Sequence, residues 1–530
     1  MASPLGAMST LSCVSPVTGA RLGELATASA EAVDAAVHEA RAVQQLWWQL
    51  RARDRARYMA RAAQAVIDEA DELVTLIGAE QGRPRAEIEL MELLPAIETL
   101  QWLAERGADI LAGEKVSISR ALRPLTRARW SYEPLGVVAV LGPATEPFAT
   151  PLGDVAVALM AGNGVVLKPS PHAALAGERI ARVFARAGLP EGLLMVVHGG
   201  STTGAALVDA QVDQVRFTGS LAAGRVVLEA CARGLKRSVL ELGGKDAMVV
   251  CADANLPRAI DGAVWGAFAN AGQCGGSIER AYVLQDVYPR FLAGVVDAAR
   301  ALCVGDPRDP ATAVGPLVDA PRRDRVQELV DEAVARGATL HCGGPVAVPG
   351  VAGACFAPAV LSGVTAAMRL AREEVPGPVL AVYAVESEEA AIAGANDSGL
   401  GLGASVWTTD RFKGARIARE LHVGMVWMND HLVSRSAPQL PWGGVGGSGF
   451  GRARGAIALR TAAEPKVVTW DPPAGRPLWW FPYDATQVRA ARAVGELRSA
   501  RDADRERGLK SGGVPLARMA GRTLRTLRRR

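Results

Sequence analysis

The feature that most constrains the fold is a series of short valine-rich runs that alternate with helical patterns. The runs are GVVAVLGP, GVVLKPS, LLMVVHGG, QVRFTGS and AMVVCADA, and most of them close on Gly, Pro or Ser. Amphipathic stretches such as ALAGERIARVFARAG separate them. Buried strands that alternate with helices are typical of a parallel, doubly wound sheet, so the sequence predicts the α/β class.

A second series of strand patterns indicates a second α/β region. RAYVLQDV, GPVLAVYAV, GASVW and HVGMVWMND belong to it, and the change falls after about Gly244. The chain has 530 residues, more than one ordinary core needs. Upstream of both series, residues from about Ala30 to Ala112 carry apolar residues at helical spacing and are predicted to be helical.

Two strand-to-helix turns have the character of phosphate-binding sites. LKPSPH places Lys168 at a strand end, where its ammonium can reach a ribose or a phosphate. FTGSLAAGR places Gly219 and Ser220 at the entrance of a helix, with Gly224 one turn later. Parallel sheets bind nucleotides at the carboxyl ends of their strands, where helix N-termini present free N–H groups. Each turn alone is a weak signal, because structural turns use the same residues.

Together with ELGGKDAMVV, these turns make the chain resemble the aldehyde dehydrogenase superfamily. The motifs, from SPVTGA near residue 15 to PKVVTW near residue 470, are AGNGVVLKPS, AGLPEGLL, FTGS, ELGGK, NAGQ, EEVPGPV, GASVW, WMND and PWGGVGGSGFGR. The resemblance implies an α/β fold with a Rossmann-like coenzyme domain, a catalytic α/β domain and a β-arm for oligomerisation. The expected segments are 1–120 and 138–243 for the coenzyme domain, 244–435 for the catalytic domain, 121–137 and 455–475 for the arm, and 476–530 for a basic tail.

The resemblance implies NAD(P)-dependent oxidation of an aldehyde to the carboxylic acid by a homodimer or homotetramer. The SIER segment and the extended C-terminus are most similar to bacterial succinate-semialdehyde dehydrogenases, which makes succinate semialdehyde the expected substrate. In such an enzyme a cysteine attacks the carbonyl, a glutamate activates water, and an asparagine and a backbone N–H hold the oxyanion. By motif position, Glu241 is the expected general base. The expected cofactor-binding residues are Lys168, Ser170, Gly219, Ser220, Gly224, Leu242 and Glu374.

The catalytic motifs depart from the family's pattern at two positions that carry the chemistry. Thr145 in PATEPF stands where the family places the asparagine, and it becomes the candidate oxyanion donor. The family places one residue between the NAGQ glutamine and the nucleophilic cysteine. In NAGQCGG, Cys274 directly follows Gln273, so the nucleophile's position falls on Gly275. Either Cys274 points away from the substrate and the enzyme is inactive, or Gly275 and Gly276 let the backbone turn Cys274 into the site.

The cofactor motifs also depart from the pattern, so NAD and NADP both stay open. Pro171 stands where NAD-using members commonly place a glutamate, and without that carboxylate a 2′-phosphate is not repelled. Pro376 replaces the phenylalanine that usually packs beside the nicotinamide. Arg435 is expected to be a solvated surface arginine, with contact to the carboxylate end of a semialdehyde as the alternative.

Metal and disulfide chemistry are not expected from the sequence. Seven cysteines are scattered without a CxxC pair, and six histidines occur without an HExxH motif. Scattered thiols fit a reducing cytosol, and the sequence shows neither a signal peptide nor a run of eighteen apolar residues. We therefore expect a cytoplasmic protein without a resident metal and without a nucleic-acid partner.

The C-terminal segment is predicted to be a basic tail. From Arg489 to Arg530 there are 13 basic and 4 acidic residues, a net charge of +9, whereas the rest of the chain carries −5. VPLARMAGRTLRTLRRR is a candidate amphipathic helix, and DPPAGRPLWWFPY before it is expected to be irregular. The tail is either solvated or attached to anionic lipid at the inner membrane surface, helped by Trp479, Trp480 and Phe481.

Three functional hypotheses follow from the sequence. The first is an aldehyde dehydrogenase that uses Cys274 from a shifted loop. The second is a non-catalytic member of the same family that binds a dinucleotide or a partner subunit. The third is a membrane-surface scaffold in which the basic tail dominates.

Overall fold

Strands and helices alternate along most of the chain. The computed structural model describes residues 9–118, 126–471, 480–481 and 483–527, with side chains described as far as residue 517. The strands are, in chain order, β1 (Thr10–Val14), β2 (Arg21–Ala26), β3 (Glu114–Val116), β4 (Arg127–Pro134), β5 (Val137–Leu141), β6 (Gly164–Lys168), β7 (Leu194–Val196), β8 (Gln214–Gly219), β9 (Arg237–Leu242), β10 (Asp246–Val250), β11 (Ile278–Leu284), β12 (Thr339–Pro345), β13 (Phe356–Ser362), β14 (Val379–Val385), β15 (Leu400–Gly401), β16 (Gly403–Trp407), β17 (Met425–Met428), β18 (Val445–Gly446), β19 (Gly449–Phe450) and β20 (Ala463–Trp470).

Helices follow most strands and fill the segment that precedes the first sheet. They are α1 (Ala30–Trp48), α2 (Ala52–Asp68), α3 (Ala70–Gln81), α4 (Arg85–Ile88), α5 (Leu94–Ile110), α6 (Ala149–Ala161), α7 (Ala174–Arg186), α8 (Ser201–Asp209), α9 (Leu221–Arg233), α10 (Leu256–Phe268), α11 (Tyr288–Ala301), α12 (Ala320–Ala335), α13 (Arg369–Arg372), α14 (Glu388–Asn396), α15 (Arg411–Glu420), α16 (Gly455–Thr461), α17 (Ala485–Leu497) and α18 (Asp502–Leu527). Shorter helical turns lie at Glu89–Leu93, Pro171–Ala173, Ala269–Gly272 and Val433–Ser436. Helices α1 to α5 confirm the helical pattern that the sequence places before the first sheet.

The first large sheet is built from the first series of valine-rich runs. Its strand order is β19-β9-β8-β5-β6-β7, and every neighbouring pair is parallel except β19 with β9. Strands β5 and β6 are buried along their whole length, where α1 and α6 pack against them. This arrangement confirms the predicted α/β class and brings the carboxyl ends of β5, β8 and β9 to one edge of the sheet.

The second large sheet contains the second series of runs. Its order is β12-β13-β14-β11-β10-β16-β17, and only β12 runs antiparallel to its neighbour. Strand β10, which the sequence groups with the first series, pairs here with β11 and β16. That grouping was wrong because an apolar run reveals a buried strand but not the partner beside which it lies.

Contacts between residues divide the chain into two compact units. The first unit, 1–111 and 133–464, holds both large sheets, the β1–β2 hairpin and the β15–β18 pair. The second unit, 112–132 and 465–530, holds β3, most of β4 and β20, and the last two helices. The predicted arm falls largely on the three-stranded sheet β20-β4-β3, although residues 121–125 and 472–475 lie outside the described residues.

Two packed helices make up the end of the described chain. Asp484 begins α17, and its Oδ1 accepts hydrogen bonds from the N–H groups of Thr486 and Gln487 at 2.8 and 3.0 Å. A Cβ at Gly512 of α18 would lie 2.6 Å from the Cβ of Ala493, so glycine permits the close approach of α17 and α18. Helix α18 confirms a helix over the predicted basic segment as far as Leu527.

The aromatic segment before these helices is only partly described. Residues 472–479 and 482, with Trp479 among them, lie outside the described residues. Among the residues that the structure does describe, no helix is long and apolar enough to cross a bilayer.

Candidate active site

A cavity of about 290 Å³ in the first unit collects residues from both large sheets. The turns after β5, β8 and β9 contribute Pro143–Glu146, Ser220 and Gly243, and the ends of β8 and β9 contribute further residues. The predicted site residues that line it are Thr145, Gly219, Ser220, Glu241, Leu242, Cys274 and Glu374. Lys168, Ser170 and Gly224 are not among its lining residues. The cavity therefore brings together all three predicted catalytic residues and part of the predicted cofactor set.

Glu241 lies near the end of β9 and is 6% exposed. Burial and, to a smaller extent, the nearby Asp154 carboxylate raise the pKa of its carboxyl to about 8. The Arg216 guanidinium, whose Nε donates to Asp154 Oδ1 at 2.6 Å, and the Arg454 guanidinium both act in the opposite direction. A carboxyl with a pKa close to 8 can release and take up a proton near neutral pH, as the predicted role of general base requires.

The predicted phosphate turn has its local structure fixed by the start of α9. Ser220 is the N-cap of this helix, and its Oγ accepts a hydrogen bond from the N–H of Ala223 at 3.3 Å. A Cβ at Gly224 would overlap the Leu242 side chain, so this glycine lets α9 pack against β9. A Cβ at Gly243 would likewise overlap the Glu374 carboxylate. Bare backbone therefore faces the cavity beside Glu374.

Lys168 and Ser170 lie at the end of the neighbouring strand β6. The Nζ of Lys168 donates to the carbonyl oxygens of Pro169 and Gly199, each at 2.9 Å. Burial lowers the pKa of this lysine to about 8. Ser170 Oγ accepts from the N–H of His172 at 3.3 Å and caps the short turn that follows. Their contact with a cofactor stays a prediction.

The loop that carries the thiol has an unusual backbone. Asn270, Ala271 and Gly272 all have positive φ angles, of +52°, +52° and +70°. A left-handed non-glycine residue costs about 1–2 kcal/mol, so neighbouring contacts must stabilise this turn. Glu87 Oε1 accepts from the Asn270 N–H at 2.7 Å.

The side chain of Asn270 supplies two further contacts to the same turn. Its Nδ2 donates to the carbonyl oxygens of Thr145 and Gln273 at 3.0 and 2.7 Å. A Cβ at Gly272 would overlap the backbone of Gly377, so only glycine fits at this closest approach. The loop is therefore fixed up to Gln273.

Cys274 is half-buried; it is one of the residues that line the cavity, and it also packs against an apolar cluster that contains Leu432 and Trp442. Arg435 Nη1 donates to Sγ at 2.7 Å. Burial raises the pKa of the Cys274 thiol to about 12, Arg435 lowers it, and the Glu146 carboxylate raises it. At rest the sulfur is therefore a neutral thiol beside a cation.

Arg435 is 6% exposed, so its assignment as a solvated surface arginine was wrong. Its Nη2 forms an ion pair with Glu146 Oε1, and its guanidinium lies 5.8 Å from the centre of the Trp442 ring. Arg454 lies beside the same ring and donates from Nη1 to the Arg435 carbonyl oxygen. Sequence reasoning failed here because burial of an arginine depends on a distant carboxylate partner.

Glu146 is the residue of this site that sequence reasoning missed. It is 4% exposed, and its Oε1 accepts from the Gly275 N–H at 3.2 Å. Thr145 Oγ1 donates to Oε2 of Glu146 at 3.2 Å. This bond uses the hydroxyl hydrogen that the sequence predicts as a donor to the oxyanion. A Cβ at Gly275 would lie 3.9 Å from Oε2, so the carboxylate faces the space of a side chain at residue 275. The available signal was the carboxylate in PATEPF, where the family has an aromatic residue.

A buried ion pair supports the turn that carries Thr145 and Glu146. Arg83 Nη1 pairs with Glu92 Oε1, and both side chains are almost completely buried. Glu92 Oε2 also accepts from the N–H groups of Phe148 and Ala149, at 3.2 and 2.7 Å, where α6 begins. Among the described residues, no group of acidic, histidine or cysteine side chains is arranged to hold a metal ion.

Two mainly parallel sheets whose strand ends meet around a thiol, a carboxylate and a glycine turn define an α/β enzyme of the dehydrogenase type. The aldehyde dehydrogenase family model matches residues 5–468, and the chain belongs to this family. Members of the family oxidise aldehydes with NAD(P) and are generally oligomeric. This agrees with the predicted reaction type, cofactor class and oligomeric character.

Individual relatives agree with this assignment. The chain is 38% identical over 480 residues to a 4,4'-diapolycopene aldehyde oxidase of Methylomonas sp, covering 90% of this chain and 89% of the relative. It is similar to a Mycobacterium tuberculosis aldehyde dehydrogenase complexed with NAD+, with a TM-score of 0.83, 36% identity, and coverage of 88% of this chain and 95% of the other. An E. coli NADP-dependent enzyme has a TM-score of 0.83 and 31% identity, with coverage of 87% and 95%.

Proposed function

We propose that this chain oxidises an aldehyde to the carboxylic acid, with Cys274 as the nucleophile and Glu241 as the general base. The observation that carries the proposal is that Cys274 and Glu241 line one cavity together with Gly219 and Ser220. A thiol that lies one position early in the motif thus shares the site with the base. Cys274 supplies the sulfur that bonds to the carbonyl carbon, and Glu241 takes a proton from the water that cleaves the resulting thioester.

The cavity fits a dinucleotide at the turn between β8 and α9. The Gly219–Ser220 turn begins a helix, where N–H groups attract phosphate, and no side chain at Gly243 shields the cavity beside Glu374. Ser220 would hold the pyrophosphate, Glu374 the nicotinamide ribose and Lys168 the adenosine ribose. NAD(P), when bound, supplies the hydride acceptor.

We further propose that the segments expected from the sequence form the coenzyme domain, the catalytic domain and the oligomerisation arm. Apart from the edge strand β19, the first large sheet belongs to the coenzyme domain 1–120 and 138–243, and the second belongs to the catalytic domain 244–435. The three-stranded sheet supplies the oligomerisation arm of a homodimer or homotetramer. Size-exclusion chromatography with light scattering tests this assignment, since a monomer under all conditions would contradict it.

The catalytic proposal is tested by cofactor reduction. NAD and NADP are each offered with a panel of aldehydes to the wild type, to Cys274→Ala and to Cys303→Ala. Cys303 is an exposed cysteine outside the cavity lining, so its variant is the matched control. We expect turnover in the wild type and the control and none in Cys274→Ala. Equal background rates in all three proteins would overturn the proposal.

We propose an aldehyde with an anionic end as the substrate, and succinate semialdehyde is its simplest member. Arg454 and Arg322 line the cavity together with several acidic side chains, and they are the cations that we propose to meet the anionic end. Substrate competition distinguishes this class from the apolar aldehyde that the name of the Methylomonas relative indicates. A kcat/KM for a long-chain apolar aldehyde above that for succinate semialdehyde would contradict the anionic class and leave the nucleophile assignment intact.

A second candidate function is dinucleotide binding without turnover. The observation that favours it is the hydrogen bond from the Gly275 N–H to Glu146, which occupies a donor that an oxyanion requires. This alternative expects dinucleotide binding by calorimetry, weakened in Lys168→Ala, together with no reduction of NAD or NADP. Turnover that depends on Cys274 would exclude it.

We propose for the tail an accessory contact with anionic lipid, and a cytoplasmic location stays a prediction. Trp480 and Phe481 are 61% and 74% exposed, and the segment from Arg489 onward carries a net charge of +9. Cosedimentation with vesicles containing phosphatidylserine should fall when residues 484–530 are deleted and when salt is raised. Equal sedimentation of the full and truncated chains would contradict the contact.

A further inference from the structure

We propose that Arg435 is a catalytic residue, which stabilises the Cys274 thiolate and then the oxyanion formed on the attacked carbon. The inference rests on the proposed function, because it assigns the donor that a Cys274-based reaction needs. The family's asparagine is replaced by Thr145, whose hydroxyl donates to Glu146. The structure instead places a guanidinium nitrogen 2.7 Å from the sulfur.

The guanidinium is held in place on several sides. Its Nη2 pairs with Glu146, its face lies against Trp442, and its own backbone carbonyl accepts from Arg454. The planar group therefore loses little freedom when its donors are used, which is the property of a preorganised site. The Nε of Arg435 is buried and, within the described residues, has no hydrogen-bond partner, so one donor is still free.

The charges around the Cys274 sulfur explain how Arg435 would stabilise the thiolate. At rest Glu146 neutralises Arg435, and the thiol beside them is uncharged. When the thiol loses its proton to Glu241, the new negative charge lies against the guanidinium, and the attraction is strong because the site is shielded from water. Glu146 acts in the opposite direction, since its carboxylate repels a thiolate.

The covalent step balances with these groups alone. The sulfur lone pair forms the bond to the carbonyl carbon, the C=O π pair moves to oxygen, and the thiol proton resides on Glu241. The resulting oxyanion is bonded to the carbon that carries the sulfur, so a donor that contacts Sγ is close to this oxygen as well. Arg435 can thus stabilise both anions, whereas an asparagine in the family's position stabilises only the second.

The first test measures thiol reactivity and does not require turnover. Alkylation of Cys274 by iodoacetamide is followed at pH 8 by peptide mass spectrometry, in the full chain. Below the thiol's pKa the rate follows the thiolate fraction, so Arg435→Gln should lower it about tenfold or more and Glu146→Gln should raise it. Arg290→Gln, which removes an exposed arginine outside the cavity lining, should leave the rate unchanged. An unchanged rate in Arg435→Gln would overturn the inference.

The second test separates catalysis from simple charge pairing. Arg435→Gln should lower kcat by about 10²- to 10³-fold with little change in the KM for NAD(P), and Arg435→Lys should restore part of the loss. The double variant Glu146→Gln, Arg435→Gln removes the buried pair without leaving an unpaired charge. If Arg435 only neutralises Glu146, the double variant regains wild-type kcat and the inference fails. If Arg435 is catalytic, the double variant stays slow.

The two tests also keep this inference distinct from the proposed function. A protein without turnover in which Arg435→Gln slows alkylation refutes the aldehyde dehydrogenase activity but retains the thiol–guanidinium pair. A protein with Cys274-dependent turnover in which Arg435→Gln changes neither alkylation nor kcat refutes the role of Arg435 alone.

Discussion

The two halves of the cavity are built in different ways. In the dinucleotide half, Gly219, Ser220 and Gly243 present backbone, and the sequence keeps the family's FTGS and ELGGK motifs there, although Pro376 departs from the pattern. In the thiol half, Glu146 and Arg435 bring buried charges against Cys274, and the sequence departs from the motifs. The comparison indicates that dinucleotide binding can depend on the shape of the backbone. The proposed reactivity of Cys274 instead depends on the opposite charges of Glu146 and Arg435, which a single substitution would change.

The largest expected effect is that of removing the base. Glu241→Gln should lower kcat by about 10³-fold, about 4 kcal/mol, because no carboxylate then accepts the proton of the attacking water. The same carboxyl is proposed to take the thiol proton, so both formation and hydrolysis of the acyl-enzyme should slow, as mass spectrometry of quenched samples would show. Dinucleotide affinity should stay within a factor of two, and a large loss of affinity would show that the two halves are not separable.

The second largest effect is expected on the free energy of unfolding, when the buried Arg83–Glu92 ion pair that supports the thiol half is broken. Glu92→Gln removes the closer of the two carboxylates that pair with the fully buried Arg83 guanidinium, leaves only Glu87 at 3.9 Å, and should lower the free energy of unfolding by about 3 kcal/mol. Urea denaturation followed by fluorescence measures it. Glu72→Gln, which affects an exposed pair, is the control and should cost less than about 1 kcal/mol. Equal destabilisation in the two variants would argue against a special role for the Arg83–Glu92 pair.

A smaller effect, on dinucleotide binding, is expected from adding a side chain at Gly243 in the dinucleotide half. Gly243→Ala places a methyl group against Glu374 and should weaken dinucleotide binding about tenfold, about 1.4 kcal/mol. Alkylation of Cys274 should be unchanged, since the thiol half is not altered. A change in alkylation equal to the change in binding would mean that one rearrangement spreads through the whole cavity.

The smallest expected effect is a pH dependence of opposite sign for the Glu241-dependent hydrolysis and for the Lys168-dependent binding of the dinucleotide. The pKa of Glu241 is raised to about 8, so its base form and the hydrolysis rate should increase as the pH rises from 7 to 9. The pKa of Lys168 is lowered to about 8, so its positive charge and its contribution to dinucleotide binding should decrease over the same range. Binding isotherms and single-turnover rates measure both trends, and Lys168→Met should remove the binding trend alone.

The fold was largely predictable because its signals are local. Runs such as GVVAVLGP and GASVW are buried strands whatever surrounds them, and they became β5 and β16. The assignment of β10 to its sheet, and the antiparallel β12 and β19, depend on pairing between distant segments and were not predictable. The motif residues Glu241 and Cys274 were likewise found from short sequence patterns.

The charges around the thiol could not be predicted in the same way. Glu146 and Arg435 look like ordinary surface residues until the fold brings them together, because each is stable in the interior only beside the other. The contact of Cys274 with Arg435, and the left-handed turn at Asn270 and Ala271 that precedes it, could not be read from the position of the thiol after Gln273.

The carboxylate that faces Gly275 has a consequence for protein engineering. A cysteine introduced there would point towards Glu146, whose Oε2 lies 3.9 Å from the position of its Cβ. A side chain at residue 275 would therefore be in van der Waals contact with the Glu146 carboxylate. The effect of a substitution at either of these two positions should depend on the residue at the other.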